Sequence, residues 1–206
     1  MENLEVITDE RVLSIAKDCY KQVNSWAKEW GYSSLPNISW VSFGGFDALG
    51  KAYYASNTVG LNKTLFKCDP KLLKQTIYHE LLHHVAGPAA GHRGSWKKLA
   101  GLVNNRAHTN ITRTTNASKA DITWAIEEAK AAKHAYRCKH CGKLYIELRE
   151  SKFTRTFDMK RPDGTSCWRC GKCRGEEGFE EISIQEYIKT LKQQHTEQNK
   201  EREVHQ

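Results

Sequence analysis

No apolar run in the 206-residue sequence approaches the ~18–20 residues that a membrane-spanning helix needs. The opening Met1-Glu2-Asn3-Leu4-Glu5 is acidic and has no apolar stretch, so a secretory leader is not expected there. No internal repeat of solenoid type occurs. Global disorder is excluded as well, because 39% of the residues are hydrophobic and six Trp, eight Tyr and six Phe supply a core. With no leader and no membrane segment, the expected setting is intracellular and reducing. The seven Cys are therefore read as metal ligands or buried thiols before disulfides.

At ~100–200 residues per domain, the length suits one domain plus a small module. The formal charge of +8 is unevenly spread. Residues 104–175 carry 16 Lys/Arg against 7 Asp/Glu, a net of +9, whereas 176–206 carry 4 against 8, a net of −4. A basic stretch of this kind favours a polyanionic partner such as DNA.

Residues 9–30 place Val12, Ile15, Ala16, Cys19, Val23, Trp26, Ala27 and Trp30 at helical spacing, with Thr8 as a cap and Gly31 as a stop. Cys19 lies on the buried stripe and reads as a core thiol. Segments 38–43, 50–55 and 57–61 alternate as short strands and predict a small antiparallel sheet. Asp69-Pro70 opens a second helix, which Gly87-Pro88 closes. A third helix fits 95–104 and another begins at Ile122. Residues 104–120 have no apolar period and read as a loop or linker.

His79-Glu80-Leu81-Leu82-His83 falls inside the second helix. Residues four apart on a helix share a face, so His79 and His83 can hold one metal ion between two imidazoles. Glu80 is rotated ~100° from His79 and can act as general base towards a water activated there. A third ligand is required, and His84, His92 and His108 are the candidates. His84 follows His83 directly and points off the face. His92 lies just past Gly87-Pro88-Ala89-Ala90-Gly91, a turn able to fold back, and is preferred.

With Gly91-His92-Arg93-Gly94-Ser95-Trp96 downstream, this pattern resembles the SprT-like family of metallopeptidase domains, which includes the Spartan proteases. Leu49-Gly50-Lys51-Ala52, Val59-Gly60-Leu61-Asn62 and the opening helix are similar too. Many members spell the third-ligand segment His-Gly, whereas here Arg93 stands between His92 and Gly94. The resemblance implies His79, His83 and His92 as catalytic zinc ligands, Glu80 as catalytic base and an open fourth position. It also implies substrates that are DNA-bound or DNA-crosslinked proteins, and so a place in DNA repair. No oxyanion stabiliser can be named: His84, Tyr78 and Arg93 stand near the motif and read as structural or solvent-facing. The rival is a zinc-dependent DNA-binding or adaptor protein with little or no peptidase activity. Glu80 separates the two, because hydrolysis needs it and metal binding does not.

Cys138-Lys139-His140-Cys141 and Cys170-Gly171-Lys172-Cys173 are two C-x-x-C knuckles, enough for one closed tetrahedral zinc site. Tyr136-Arg137 and Trp168-Arg169 precede them in parallel. Segments 144–148 and 153–157 alternate as a hairpin would, which gives the outline of a zinc ribbon. Cys167-Trp168-Arg169-Cys170 offers a second register, but Gly171 and the Tyr136/Trp168 parallel favour Cys170 with Cys173, leaving Cys167 in reserve. Cys68 reads as an ordinary thiol. Arg and Lys near Tyr136, Tyr145, Phe153, Phe157 and Trp168 suit phosphates and unpaired bases. The SprT-like family commonly carries such a ribbon at its C-terminal end.

The expected architecture is thus α+β. A zincin-like helical metallopeptidase core with a small antiparallel sheet occupies 1–120, a helix plus zinc ribbon 121–185, and a charged tail, frayed or disordered, 186–206. Two zinc ions are expected, one catalytic and one structural, with DNA and protein substrates as partners.

Overall fold

A computed structural model describes residues 3–204, with side chains described as far as Glu201. The chain divides into two compact units that meet in sequence between Trp124 and Ala125. The first holds β1 (Glu5–Val6), α1 (Glu10–Glu29), β2 (Ser39–Phe43), β3 (Gly50–Tyr53), β4 (Thr58–Asn62), α2 (Pro70–Ala86), α3 (Gly94–Ala107), α4 (Ala117–Ala120) and the first turn of α5 (Ile122–Ala131).

Helix α1 buries Val12, Ala16, Cys19, Val23 and Ala27, the stripe its period predicts. Its cap is Asp9 rather than Thr8: the carboxylate accepts the Val12 N–H at 3.0 Å. The sheet order is β1-β2-β4-β3, with β4 central and buried along its whole length. β4 pairs antiparallel with β3 but parallel with β2, so the expected all-antiparallel sheet is corrected to a mixed one. Alternation assigns side chains to faces and is silent on strand direction. The chain reaches β4 by way of edge strand β3, turning back through Tyr54–Ser56 and Asn57, whose φ is 49°.

Asp69 caps α2 by accepting the Lys71 N–H at 2.7 Å, and Pro70 takes the first helical position. The helix lies between α1, α3 and strands β3 and β4, with Leu73, Ile77, Leu81 and Leu82 fully buried. Burying each such side chain is worth ~1.5–3 kcal/mol, against ~1 kcal/mol for a cap. Packing therefore fixes where this helix sits, and the caps fix where it starts and stops.

Residues 108–116 have no regular structure, as expected, but they are not a linker. Asn104, in the last turns of α3, accepts the Ile111 N–H at 2.6 Å and donates to the Ile111 carbonyl at 3.0 Å. That side-chain clamp buries Ile111 and holds the segment against the first unit. Asp121 closes the unit by accepting the Asp69, Thr123 and Trp124 N–H groups. Burial opposes its charge, but those three donors outweigh it and hold the carboxyl below its usual range.

The second unit contains the rest of α5, then β5 (His134–Cys138), β6 (Leu144–Glu147), α6 (Lys152–Thr156), β7 (Phe179–Ile182) and α7 (Ile184–Val204). Its antiparallel sheet runs β6-β5-β7. The second half of the expected hairpin is a helix instead. Ser151 and Thr154 form a reciprocal capping box, and Phe153 and Phe157, four apart, both meet Tyr136. These two residues satisfy strand and helix periods alike, and the cap decides. The charged tail is a continuous helix to Val204, with Tyr187 buried among Ala129, Ala135 and neighbouring aliphatics; His205 and Gln206 lie outside the described residues. No helix among the described residues is long and apolar enough to cross a membrane.

Candidate metal centres

His79 and His83 stand one turn apart on α2, and the turn through Gly87 and Gly91 carries His92 back towards them. Both glycines have positive φ, 81° and 51°, the left-handed side that an L residue resists. The three Nε2 atoms are 2.9, 3.1 and 3.3 Å apart. Nitrogens held ~2.0–2.1 Å from one tetrahedral ion lie ~3.3 Å from each other, so the donor set is consistent with zinc. Burial, then His83 and His92, lowers the pKa of His79 to about 4; burial, then His92 and His84, does the same to His83. Neutral imidazoles are what a metal needs. Trp96 packs on all three rings, at 4.7–5.5 Å between centroids, and His79 has a backbone hydrogen bond to Thr112. The other candidates point elsewhere: His84 faces the Thr58 carbonyl at 3.3 Å, and His108 ends α3 in left-handed conformation.

In the second unit, the sulfurs of Cys138, Cys141, Cys170 and Cys173 converge. Cys138 Sγ is 3.7 Å from Cys173 Sγ, and Cys141 Sγ is 3.7 Å from Cys170 Sγ. Thiolates ~2.3 Å from a tetrahedral ion lie ~3.8 Å apart, so this group also suits zinc, and it suggests a zinc ribbon. Each knuckle turns four residues after its first Cys, at Gly142 (φ 68°) and Arg174 (φ 60°). The turn residue is thus Arg174, and Gly171 is not in the positive-φ region. Cys167 is exposed and lies outside the group. The Tyr145 hydroxyl 3.0 Å from Cys170 Sγ, with the Cys173 and Lys172 N–H groups, favours the Cys170 thiolate against its burial and lowers its pKa.

A family model described as the SprT-like family matches residues 16–117, the stretch that holds all three histidines. Residues 16–117 are a SprT-like domain. Searches of the curated proteins and of the solved structures return no match. The domain is of metallopeptidase type, and the cysteine group lies wholly beyond the matched residues.

An open cleft of about 250 Å³ borders the histidines of the SprT-like domain, lined among others by Asp47, Gly50, Thr76, Glu80, Ile111 and Arg113. Glu80 is 6% exposed, and burial alone raises its carboxyl to about 8. Tyr54 lies with its ring 6.5 Å from that of His83, and burial, then the Glu80 charge, raises its pKa. The wall residues Asp47, Ile111 and Arg113 were not foreseen, because no motif surrounds them; only the fold brings Asp47 and the 108–116 segment to α2.

Gly50 lies directly against the Glu80 side chain. A Cβ there would stand 2.7 Å from Glu80 Cγ, 2.8 Å from its Oε1 and 2.9 Å from Thr76 Cγ2. Glycine is required here by space, since its φ is ordinary for a strand. Gly50→Ala is expected to displace Glu80 and lower the cleavage rate ~10²-fold, the cost of a misplacement of ~1 Å, with zinc content unchanged. Initial rates set beside metal analysis check this; a rate within twofold of wild type would show that the cleft absorbs the methyl group.

Proposed function

We propose that the chain is a zinc-dependent endopeptidase of SprT-like type, acting on proteins bound or crosslinked to DNA, with the basic ribbon holding the DNA. The observation that carries the chemistry is the convergence of three neutral imidazoles beside one buried carboxylate in an open cleft. His79, His83 and His92 would hold the ion; bound zinc supplies Lewis acidity, polarising the scissile carbonyl and lowering the pKa of the attacking water towards ~7. Glu80 takes the proton from that water and passes it to the leaving amine. Burial favours its neutral form, but a dication beside it favours the carboxylate, the form a base requires. Gly50 leaves room for the carboxylate, and Trp96 fixes the ring orientations. An ion held by the four cysteines would have four protein ligands and no open position, which suits a structural role.

Exposed Lys139, Lys143, Lys152, Arg155, Lys160, Arg161 and Lys172 support DNA binding by the ribbon. Arg137 is engaged by Glu180 and Glu186, and Arg169 by Glu176. Tyr136 and Phe179 are buried in the ribbon's own core, and Tyr145, Phe153, Phe157 and Trp168 pack half-buried against it, which leaves them little face to stack on bases. Phosphate contacts therefore carry the interaction, which makes it tolerant of sequence and sensitive to salt.

The test measures cleavage of a DNA-binding protein with and without DNA across a salt series. DNA is expected to speed cleavage up to ~10²-fold by raising the effective substrate concentration, and the gain should fade as salt rises. Equal rates with and without DNA would remove the targeting half of the proposal. No cleavage under any condition would leave the zinc-dependent adaptor.

A further inference from the structure

Beside the cleft lies a second hollow of about 310 Å³, over the turn that delivers His92. It is lined by the exposed turn residues Pro88, Ala89 and Gly91 with Ala90, and by His92, Arg93 and Arg113. No carboxylate lines it. Both arginines are exposed, and neither guanidinium has an ion-pair or hydrogen-bond partner among the described residues. Arg113 is close enough to His92 to add to burial in lowering its pKa. His92 and Arg113 line this hollow and the cleft alike, so the two spaces adjoin at these residues.

Two cations that line one small space, with no carboxylate beside them, suit an anionic group. A guanidinium offers a carboxylate paired, charge-assisted hydrogen bonds, and a lysine does so less well. The proline and alanine side chains suit the methylene groups of a side chain. Because the hollow adjoins the cleft, a peptide lying in the cleft can place a neighbouring side chain there. A DNA phosphate backbone would instead call for a row of cations, whereas two arginines line this space.

We propose that Arg93 and Arg113 form an acidic subsite, which selects an Asp or Glu side chain of the substrate close to the scissile bond. The cleavage arm of this proposal rests on the peptidase reading; the binding arm does not. These two are specificity residues and take no part in the proton transfers assigned to Glu80.

The test uses the zinc-loaded full chain and a set of peptides in which one Asp is walked along the sequence around the cleaved bond, each paired with its Asn counterpart. At one position the wild type is expected to prefer Asp over Asn in kcat/KM by about tenfold, in line with one charge-assisted contact at a solvent-open rim. In Arg93→Ala/Arg113→Ala the ratio should fall to about one, and in Arg93→Glu/Arg113→Glu it should fall below one. A wild-type ratio near one at every position, or a ratio the double variants leave unchanged, overturns the proposal. So does a double alanine variant that keeps its Asp preference while losing DNA affinity, which would reassign the arginines to phosphate. The same peptides, fluorescently labelled, are then titrated onto Glu80→Gln, where no cleavage is needed. If the wild type cuts nothing but this variant still binds Asp over Asn through the two arginines, the subsite stands and the peptidase reading falls. Equal binding of the two removes the subsite.

Discussion

Glu80→Gln is expected to lower cleavage ~10²–10⁴-fold, the usual contribution of a positioned general base, while the protein keeps its fold and its zinc. Glutamine has nearly the volume of glutamate, so the tight fit against Gly50 and Thr76 is preserved. The three imidazoles that converge nearby do not include this side chain, so their metal affinity is not the quantity altered. What is lost is the buried carboxylate of the cleft, the group placed beside the histidines to take a proton and return it. Gln also stays neutral where burial already disfavours charge, so the variant should be at least as stable as the wild type. Initial rates at matched zinc content decide the matter. Equal cleavage by the two proteins would sink the peptidase reading, because no other carboxylate is buried beside the histidines among the described residues.

Cys170→Ser is expected to remove one zinc and melt the ribbon. The core of that unit is small: Tyr136 and Phe179 are buried with Cys138 and Cys170 themselves, and the remaining aromatics are only half-buried around them. Structural zinc sites contribute ~10–16 kcal/mol of apparent binding energy to modules of this kind, more than so few aromatic contacts can replace. Trp168 reports the loss, since it packs edge-on against Phe153 at 5.2 Å and donates to the Thr156 carbonyl at 3.0 Å. Its fluorescence should shift to that of a solvated indole, and DNA affinity should fall with it. Cys167→Ser, by contrast, should change neither signal, because that thiol is exposed and apart from the group. A melted ribbon in Cys167→Ser, or an unchanged one in Cys170→Ser, would reassign the ligands.

The parts of this protein that follow a local rule could be read from its sequence. The i, i+4 histidines sit on a helix bracketed by Asp69-Pro70 and Gly87, and the knuckle spacing marks four cysteines, so both groups stand out before any fold is known. What could not be read depends on long-range pairing. Strand direction in the sheet was missed because β2 and β4 alternate identically whether they run together or opposed. The helix at Lys152–Thr156 was missed because Phe153 and Phe157 fit two periods, and a Ser151 cap chooses between them. Residues 104–120 read as a loop or linker because their Thr, Asn and Arg residues show no period; the structure instead carries α3 on to Ala107 and forms α4 over Ala117–Ala120, leaving 108–116 as the irregular segment. Its role comes from Asn104, a side chain that does the work of a neighbouring strand. That segment supplies Arg113 to the cleft, so the least patterned stretch of the domain holds part of its specificity.

Two groups of candidate ligands, three histidines in an open cleft and four cysteines in the second unit, are each proposed to hold one zinc. Zinc counted per chain in the purified protein tests this most directly. Two ions are predicted; one ion or none would contradict it.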